Sequence, residues 1–280
     1  MTSSDDRAAL ADLAASLRAY LEWHGDVGGF GFPRRLKGDA TAAPKATPPA
    51  APTGATTLPE APHATAATAS GATVSHAAAA VAAPAERRPL EVIQAAVASC
   101  QKCGLGATRT NTVFARGNPS AKLCFVGEAP GADEDAEGLP FVGRAGQLLD
   151  KMIGAMGLSP ERDVYVCNII KCRPPGNRRP TPDETETCIP YLHEQLDMVA
   201  PKVIVALGNT AAGTLLGTTL GITKLRGQWK LYKGTTLVMP TYHPSYLLRP
   251  SANQAESKRE AWEDLQSVMK ELGLALPKKG

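Results

Sequence analysis

Between residues 89 and 280 the apolar positions fall into two alternating patterns. Short apolar-rich runs at Ala121 to Val126, Asp163 to Ile170, Lys202 to Leu207 and Thr235 to Thr241 read as buried strands. Apolar residues at helical spacing fill Arg144 to Met156, Glu184 to Met198 and Thr210 to Leu216, with a helical run from Leu90 to Ala98 in front and another, Gln254 to Leu272, behind. Strands separated by helices imply βαβ units. The expected fold class is α/β: a three-layer sandwich around a central, mainly parallel four-stranded sheet.

Upstream the pattern changes. Leu10, Leu13, Leu17, Tyr20 and Leu21 share one face of an amphipathic helix, with Ser3 and Ser4 as caps, inside an N-terminal unit of residues 1–36. Docking of that helix on the main domain is the plain reading, and binding of a partner is the alternative; no partner is identified. Residues 37–88 are dominated by Ala, Pro and Thr and carry too little apolar surface to offset their ordering entropy. They are expected to form a disordered linker, leaving residues 89–280 as one domain.

The formal charge of +3 over 280 residues does not mark a nucleic-acid binder, so any such face must come from local clusters. Two are present: Lys171, Arg173, Arg178 and Arg179, and Lys224, Arg226, Lys230 and Lys233. No run is long and apolar enough to span a bilayer, and Asp5 and Asp6 do not suit a leader, so a cytoplasmic protein is expected.

Six cysteines are too many for disulfides in that compartment. Cys124 and Cys167 lie in strand-like runs and read as small buried apolar residues. Cys100 and Cys103 form a tight clip, Cys172 follows a strand and Cys188 falls in a helix; these four are candidate metal ligands. Four thiolates suit a closed zinc site or an iron–sulfur cluster. One close pair with two separate cysteines departs from paired zinc knuckles and tilts towards the cluster, which would be structural.

Each strand is followed by polar or glycine-rich sequence: Gly127 to Asp135 after the first, Asn168 near the end of the second, Gly208-Asn209-Thr210 after the third and His243 to Arg249 after the fourth. Carboxyl ends of parallel strands share one edge of the sheet, so a carboxylate, an amide, an aromatic ring and an imidazole could line one pocket. Taken singly each has a plainer reading: Asn168 as a satisfied core amide, Phe141 as core, Glu128, Glu134 and Asp135 as helix-start acids, His243 as a turn cap.

Together, Gly127-Glu128-Ala129-Pro130-Gly131, Pro140 to Gly146, Asn168 to Pro175 and His243 to Arg249 resemble the family 4 uracil-DNA glycosylases over roughly residues 90–272. The resemblance implies an enzyme that excises uracil from single- or double-stranded DNA by hydrolysing the N-glycosidic bond, and a four-iron cluster on Cys100, Cys103, Cys172 and Cys188. Phe141 would stack on the flipped base and Asn168 would read its O4 and N3–H. Backbone groups of Glu128, Ala129 and Pro130 would complete the contacts, and His243 would donate to O2. Glu128 or Glu134 would position water or balance charge on the sugar. The arginines after Cys172, with Lys224 and Arg226, would hold phosphates, and Tyr246 or Leu247 would act as a wedge. The chain is expected to act as a monomer.

Two other readings stay open. One is a non-catalytic DNA-binding or polymerase-associated iron–sulfur module. The other is a covalent-trapping relative, which carries a histidine in a basic insertion after the cluster cysteine; here Gly176 to Thr181 has none, so turnover is expected.

Overall fold

The computed structural model describes residues 88–276. The expected N-terminal helix and all but the last residue of the expected linker lie outside the described residues. The described residues contain six strands: β1 (Ala115–Gly117), β2 (Leu123–Gly127), β3 (Val164–Asn168), β4 (Val203–Leu207), β5 (Lys230–Tyr232) and β6 (Thr236–Thr241). Its longer helices are α1 (Leu90–Ala98), α3 (Arg144–Ala155), α4 (Pro182–Val199), α5 (Gly208–Leu216) and α8 (Gln254–Leu272). Short helices are α2 (Ala132–Glu137), α6 (Ile222–Leu225) and α7 (Pro244–Leu247).

All six strands form one sheet in the order β1-β3-β2-β4-β6-β5, flanked by helices. The sheet therefore has six strands where four were expected. The four expected strands are its parallel centre, and β1 and β5 add antiparallel edges. Each edge strand has only three residues, too short to show a period. A turn with positive φ at both Lys233 and Gly234 joins β5 to β6, as a tight hairpin requires.

β2, β3 and β4 are buried along their whole length, because helices cover a parallel sheet on both faces. Their runs are accordingly apolar without alternation. α8 closes the domain by burying Ala261, Trp262, Leu265, Val268 and Met269, a helical stripe. α4 starts on a reciprocal cap: Thr181 Oγ1 accepts from Glu184 N at 3.2 Å, Glu184 accepts from Thr181 N at 2.8 Å, and Pro182 takes the first turn. No helix among the described residues is long and apolar enough to cross a membrane.

Register decides where the loops meet. Gly127 pairs with Asn168 across β2 and β3, and Leu207 with Thr241 across β4 and β6, so all four parallel strands end at one edge. The chain leaves β2 towards β3 on one side and reaches β4 on the other. That edge is therefore the switch point where open α/β sheets bind ligands. The segment after β2 is not purely a loop, since residues 132–137 coil into α2.

Candidate active site

A cavity of about 210 Å³ opens at this edge, and its walls include Glu128, Ala129, Pro130, Glu134, Phe141, Asn168 and His243. The residues singled out from separate stretches of sequence are thus brought together. Ser245 and Arg178 join them.

Asn168 ends β3 with 1% exposure, and its Oδ1 is buried without a hydrogen-bond partner. An unsatisfied buried acceptor costs about 1–3 kcal/mol, so a donor entering the cavity would find a ready partner here. Phe141 is 6% exposed and holds φ 56°, a left-handed backbone that bulky side chains rarely adopt. Its ring stands 5.6 Å from that of His243, tilted by 32°.

Two glycines permit this crowding. A Cβ on Gly127 would lie 2.4 Å from Asn168 Oδ1 and 2.5 Å from Phe141 Cζ, and one on Gly146 would lie 1.8 Å from the Phe141 carbonyl oxygen. The amide and ring can approach β2 only over a bare backbone.

His243 precedes α7, and its Nδ1 accepts the Ser245 backbone N–H at 3.1 Å, with Ser245 Oγ 2.8 Å away. An accepting Nδ1 leaves the ring proton on Nε2, so Ser245 fixes the tautomer. Burial, helped by the Arg249 charge, pulls the imidazole pKa down to about 4. At neutral pH the ring is therefore a neutral donor.

The two acids differ. Glu134 accepts from Gly131 N at 3.0 Å, Val142 N at 3.1 Å and Gly143 N at 3.0 Å. Its carboxylate clasps the loop after β2 to the loop that carries Phe141. Glu128 instead accepts the Thr210 hydroxyl from the start of α5. Asp135, four percent exposed, accepts from Thr110 N and Asn111 N, which ties α2 to the segment after the cysteine clip. None of these partners was evident in the sequence.

Cys100, Cys103, Cys172 and Cys188 line one small cavity of about 20 Å³ with Arg109, Lys102, Lys171 and Tyr191. Arg109 donates to Cys172 Sγ at 3.2 Å and to the Cys100 carbonyl at 2.7 Å. Burial raises the Cys172 thiol pKa and carries that of Cys188 up to about 11, opposed by Arg109 at the first and Lys171 at the second. Among the described residues no three or more His, Cys, Asp or Glu side chains form a group that could hold a metal ion. Cys124 and Cys167 are fully buried in β2 and β3, as expected.

The expected phosphate-binding cations need correction. Arg226 is spent on the domain itself, donating to Asp264 at 2.7 and 3.1 Å and to Glu260 at 3.2 Å. Asp264 also accepts the Thr241 hydroxyl at 2.6 Å, so this cluster anchors the end of β6 just before His243. Lys171 is 1% exposed and cannot face solvent. Arg178 pairs with Glu184 at 2.6 Å and Arg173 donates to Asn177 at 2.7 Å, both in the loop beside the cavity. Leu247 is fully buried and cannot serve as a wedge, whereas Tyr246 is 42% exposed and stacks on Tyr242 at 5.1 Å.

The model of the uracil DNA glycosylase superfamily matches residues 114–266. The chain is similar to a type-4 uracil-DNA glycosylase of Thermotoga maritima, 46% identical over 180 residues, which span 64% of this chain and 92% of that protein. It is also similar to type-4 uracil-DNA glycosylases of Sulfurisphaera tokodaii, 48% identical over 57% of this chain and 76% of that protein, and of Archaeoglobus fulgidus, 45% identical over 59% and 86%.

Proposed function

The chain belongs to the type-4 uracil-DNA glycosylases, and from that membership we propose how its own residues release uracil from DNA. It is a DNA glycosylase, a hydrolase that cuts the bond between uracil and deoxyribose and so begins base-excision repair.

The observation that carries the assignment of roles is Asn168 Oδ1, an orphaned acceptor in a cavity shared with Phe141 and His243. Uracil presents an N3–H donor beside an O4 acceptor. Asn168 accepts the first through Oδ1 and donates to the second through Nδ2, while cytosine, with the reverse pattern, leaves both groups unpaired. Buried unpaired groups are what make such a site selective. The base reaches the cavity by leaving the stack, at a cost of a few kcal/mol, and the Phe141 ring takes over its stacking.

Bond cleavage sends negative charge to uracil O2 and leaves the sugar cation-like. His243 donates its Nε2–H to O2, and a single preorganised donor of this kind supplies about 3 kcal/mol. The Ser245 amide keeps the proton on that nitrogen. Glu128, oriented by Thr210, holds water near C1′ or balances the sugar charge. Glu134, with both oxygens engaged by backbone amides, positions the Phe141 loop.

Cys100, Cys103, Cys172 and Cys188 hold a four-iron cluster in this reading. Four thiolates around a shared cavity suit one thiolate per iron, whereas zinc needs all four sulfurs within about 2.3 Å of one point. When bound, the cluster supplies a cross-link between the segment before β1 and the segments after β3. Uracil-containing DNA, single- or double-stranded, is the partner, with Tyr246 and the arginines of residues 173–179 at its edge. The enzyme acts as a cytoplasmic monomer.

Asn168→Ala and His243→Ala are each expected to slow uracil release from a defined oligonucleotide by at least about a hundredfold, with fold and iron content unchanged. Release at the wild-type rate by both variants refutes the assignment. The purified protein is expected to absorb broadly in the visible and to contain iron and sulfide; a colourless protein overturns the cluster.

A further inference from the structure

Lys171 lines the cysteine cavity and also reaches the strand that carries Asn168. Its side chain is buried to 1% exposure and lines the cavity of the four cysteines. From there Nζ donates to the carbonyl oxygen of Asn168 at 2.7 Å. Its carbonyl accepts from Val113 N at 2.8 Å, and the next residue along the chain is Cys172. Two further bonds hold the same stretch to β2: Ile169 N donates to the Gly127 carbonyl at 2.9 Å and Ile170 N to the Glu128 carbonyl at 3.2 Å.

The Asn168 carbonyl sets the peptide plane from which the base-reading side chain departs. A hydrogen bond to it from a fully buried amine, in an interior that excludes water, resists rotation more strongly than the same bond would at the surface. The residue that makes this bond also lines the cysteine cavity and is joined by a peptide bond to Cys172. A shift at the cysteine centre therefore moves Lys171, and Lys171 moves the amide.

We propose that Lys171 is a positioning residue that couples the cysteine centre to base recognition by Asn168. This rests on the roles given above to Asn168 and the four cysteines. Coupling of this kind is reciprocal: the centre steadies the base reader, and a bound base steadies the centre.

The test uses the full chain as purified and two duplexes. One carries a non-cleavable 2′-fluoro-deoxyuridine, and the other a tetrahydrofuran abasic analogue at the same position. Lys171→Met, which keeps the length and loses the donor, is expected to reduce the preference for the uracil duplex by about tenfold, as befits one lost buried hydrogen bond, while affinity for the abasic duplex is unchanged. In the wild-type protein the uracil duplex is expected to slow loss of iron to a chelator more than the abasic duplex does. In Lys171→Met that difference disappears.

An unchanged preference in Lys171→Met overturns the proposal, as does wild-type iron loss that is indifferent to the base. The iron measurement on wild-type protein decides the matter even if the variant does not fold. Asn168→Ala separates the two levels: if it keeps the wild-type preference for uracil, the base-reading assignment itself has failed.

Discussion

Gly127→Ala places a single methyl group where the account is most exposed. The new Cβ would stand 2.4 Å from Asn168 Oδ1, 2.5 Å from Phe141 Cζ and 2.7 Å from Phe141 Cε2. Ordinary contact begins near 3.4 Å, so the amide and the ring must each retreat by close to 1 Å. The strand cannot yield instead, because β2 is buried along its length and paired on both sides. Overpacking of this kind costs about 1–3 kcal/mol of stability. At about 2–4 °C of melting temperature per kcal/mol for a domain of this size, the protein remains folded at assay temperature. A misplacement of about 1 Å, by contrast, costs on the order of a hundredfold in rate. The expected outcome is a folded, iron-containing variant whose single-turnover uracil release falls by roughly a hundredfold. Gly221→Ala is the control, since its Cβ would meet only Thr223 Oγ1 at 3.9 Å. Wild-type release by Gly127→Ala would refute the claim that Asn168 and Phe141 grip the base side by side.

Two further outcomes follow from the acid and the imidazole. Glu134→Gln turns one accepting oxygen into a donor facing a backbone N–H, loosening a clasp whose charged bonds are worth about 1.5–3 kcal/mol each. It is expected to raise KM by about tenfold or more with the pH profile of kcat unchanged; a lost acid limb would show that Glu134 takes part in proton handling. The His243 pKa lies near 4, below its ordinary 6.5, so the donor stays neutral as pH falls. Uracil release should hold steady down to about pH 5 and decline only towards 4, and a histidine limb near 6.5 contradicts this. Stability carries the same sign. The unfolded chain protonates His243 near 6.5 while the native state resists until about 4, so its contribution is present above 6.5 and is lost across that window as pH falls.

The central strands were legible because a sheet covered on both faces demands apolar-rich runs, which β2, β3 and β4 supply along their length and β6 supplies from Leu237 to Pro240. Helices α1 and α8 end where the periodicity ends, at Ala98 and Leu272. The edges were not legible: β1 and β5 are set by pairing with β3 and β6 rather than by their own three residues. The turn at Lys233 and Gly234 was the available signal for β5. The convergence of Glu128, Phe141, Asn168 and His243 could be anticipated, because parallel strands share a carboxyl edge. Their division of labour could not be. Glu134 and Glu128 look alike along the chain, and only their partners distinguish them: the amides of Gly131, Val142 and Gly143 for the clasp, the Thr210 hydroxyl for Glu128. Arg226 looked like a surface cation until Asp264 and Glu260 arrived from α8.

A crystal structure with free uracil in the cavity probes the heart of the account with no chemistry intervening. Uracil is expected to lie against the Phe141 ring, with N3–H on Asn168 Oδ1, O4 on Asn168 Nδ2 and O2 facing His243 Nε2. Uracil bound elsewhere, or bound here with Asn168 Oδ1 still unpaired, contradicts it.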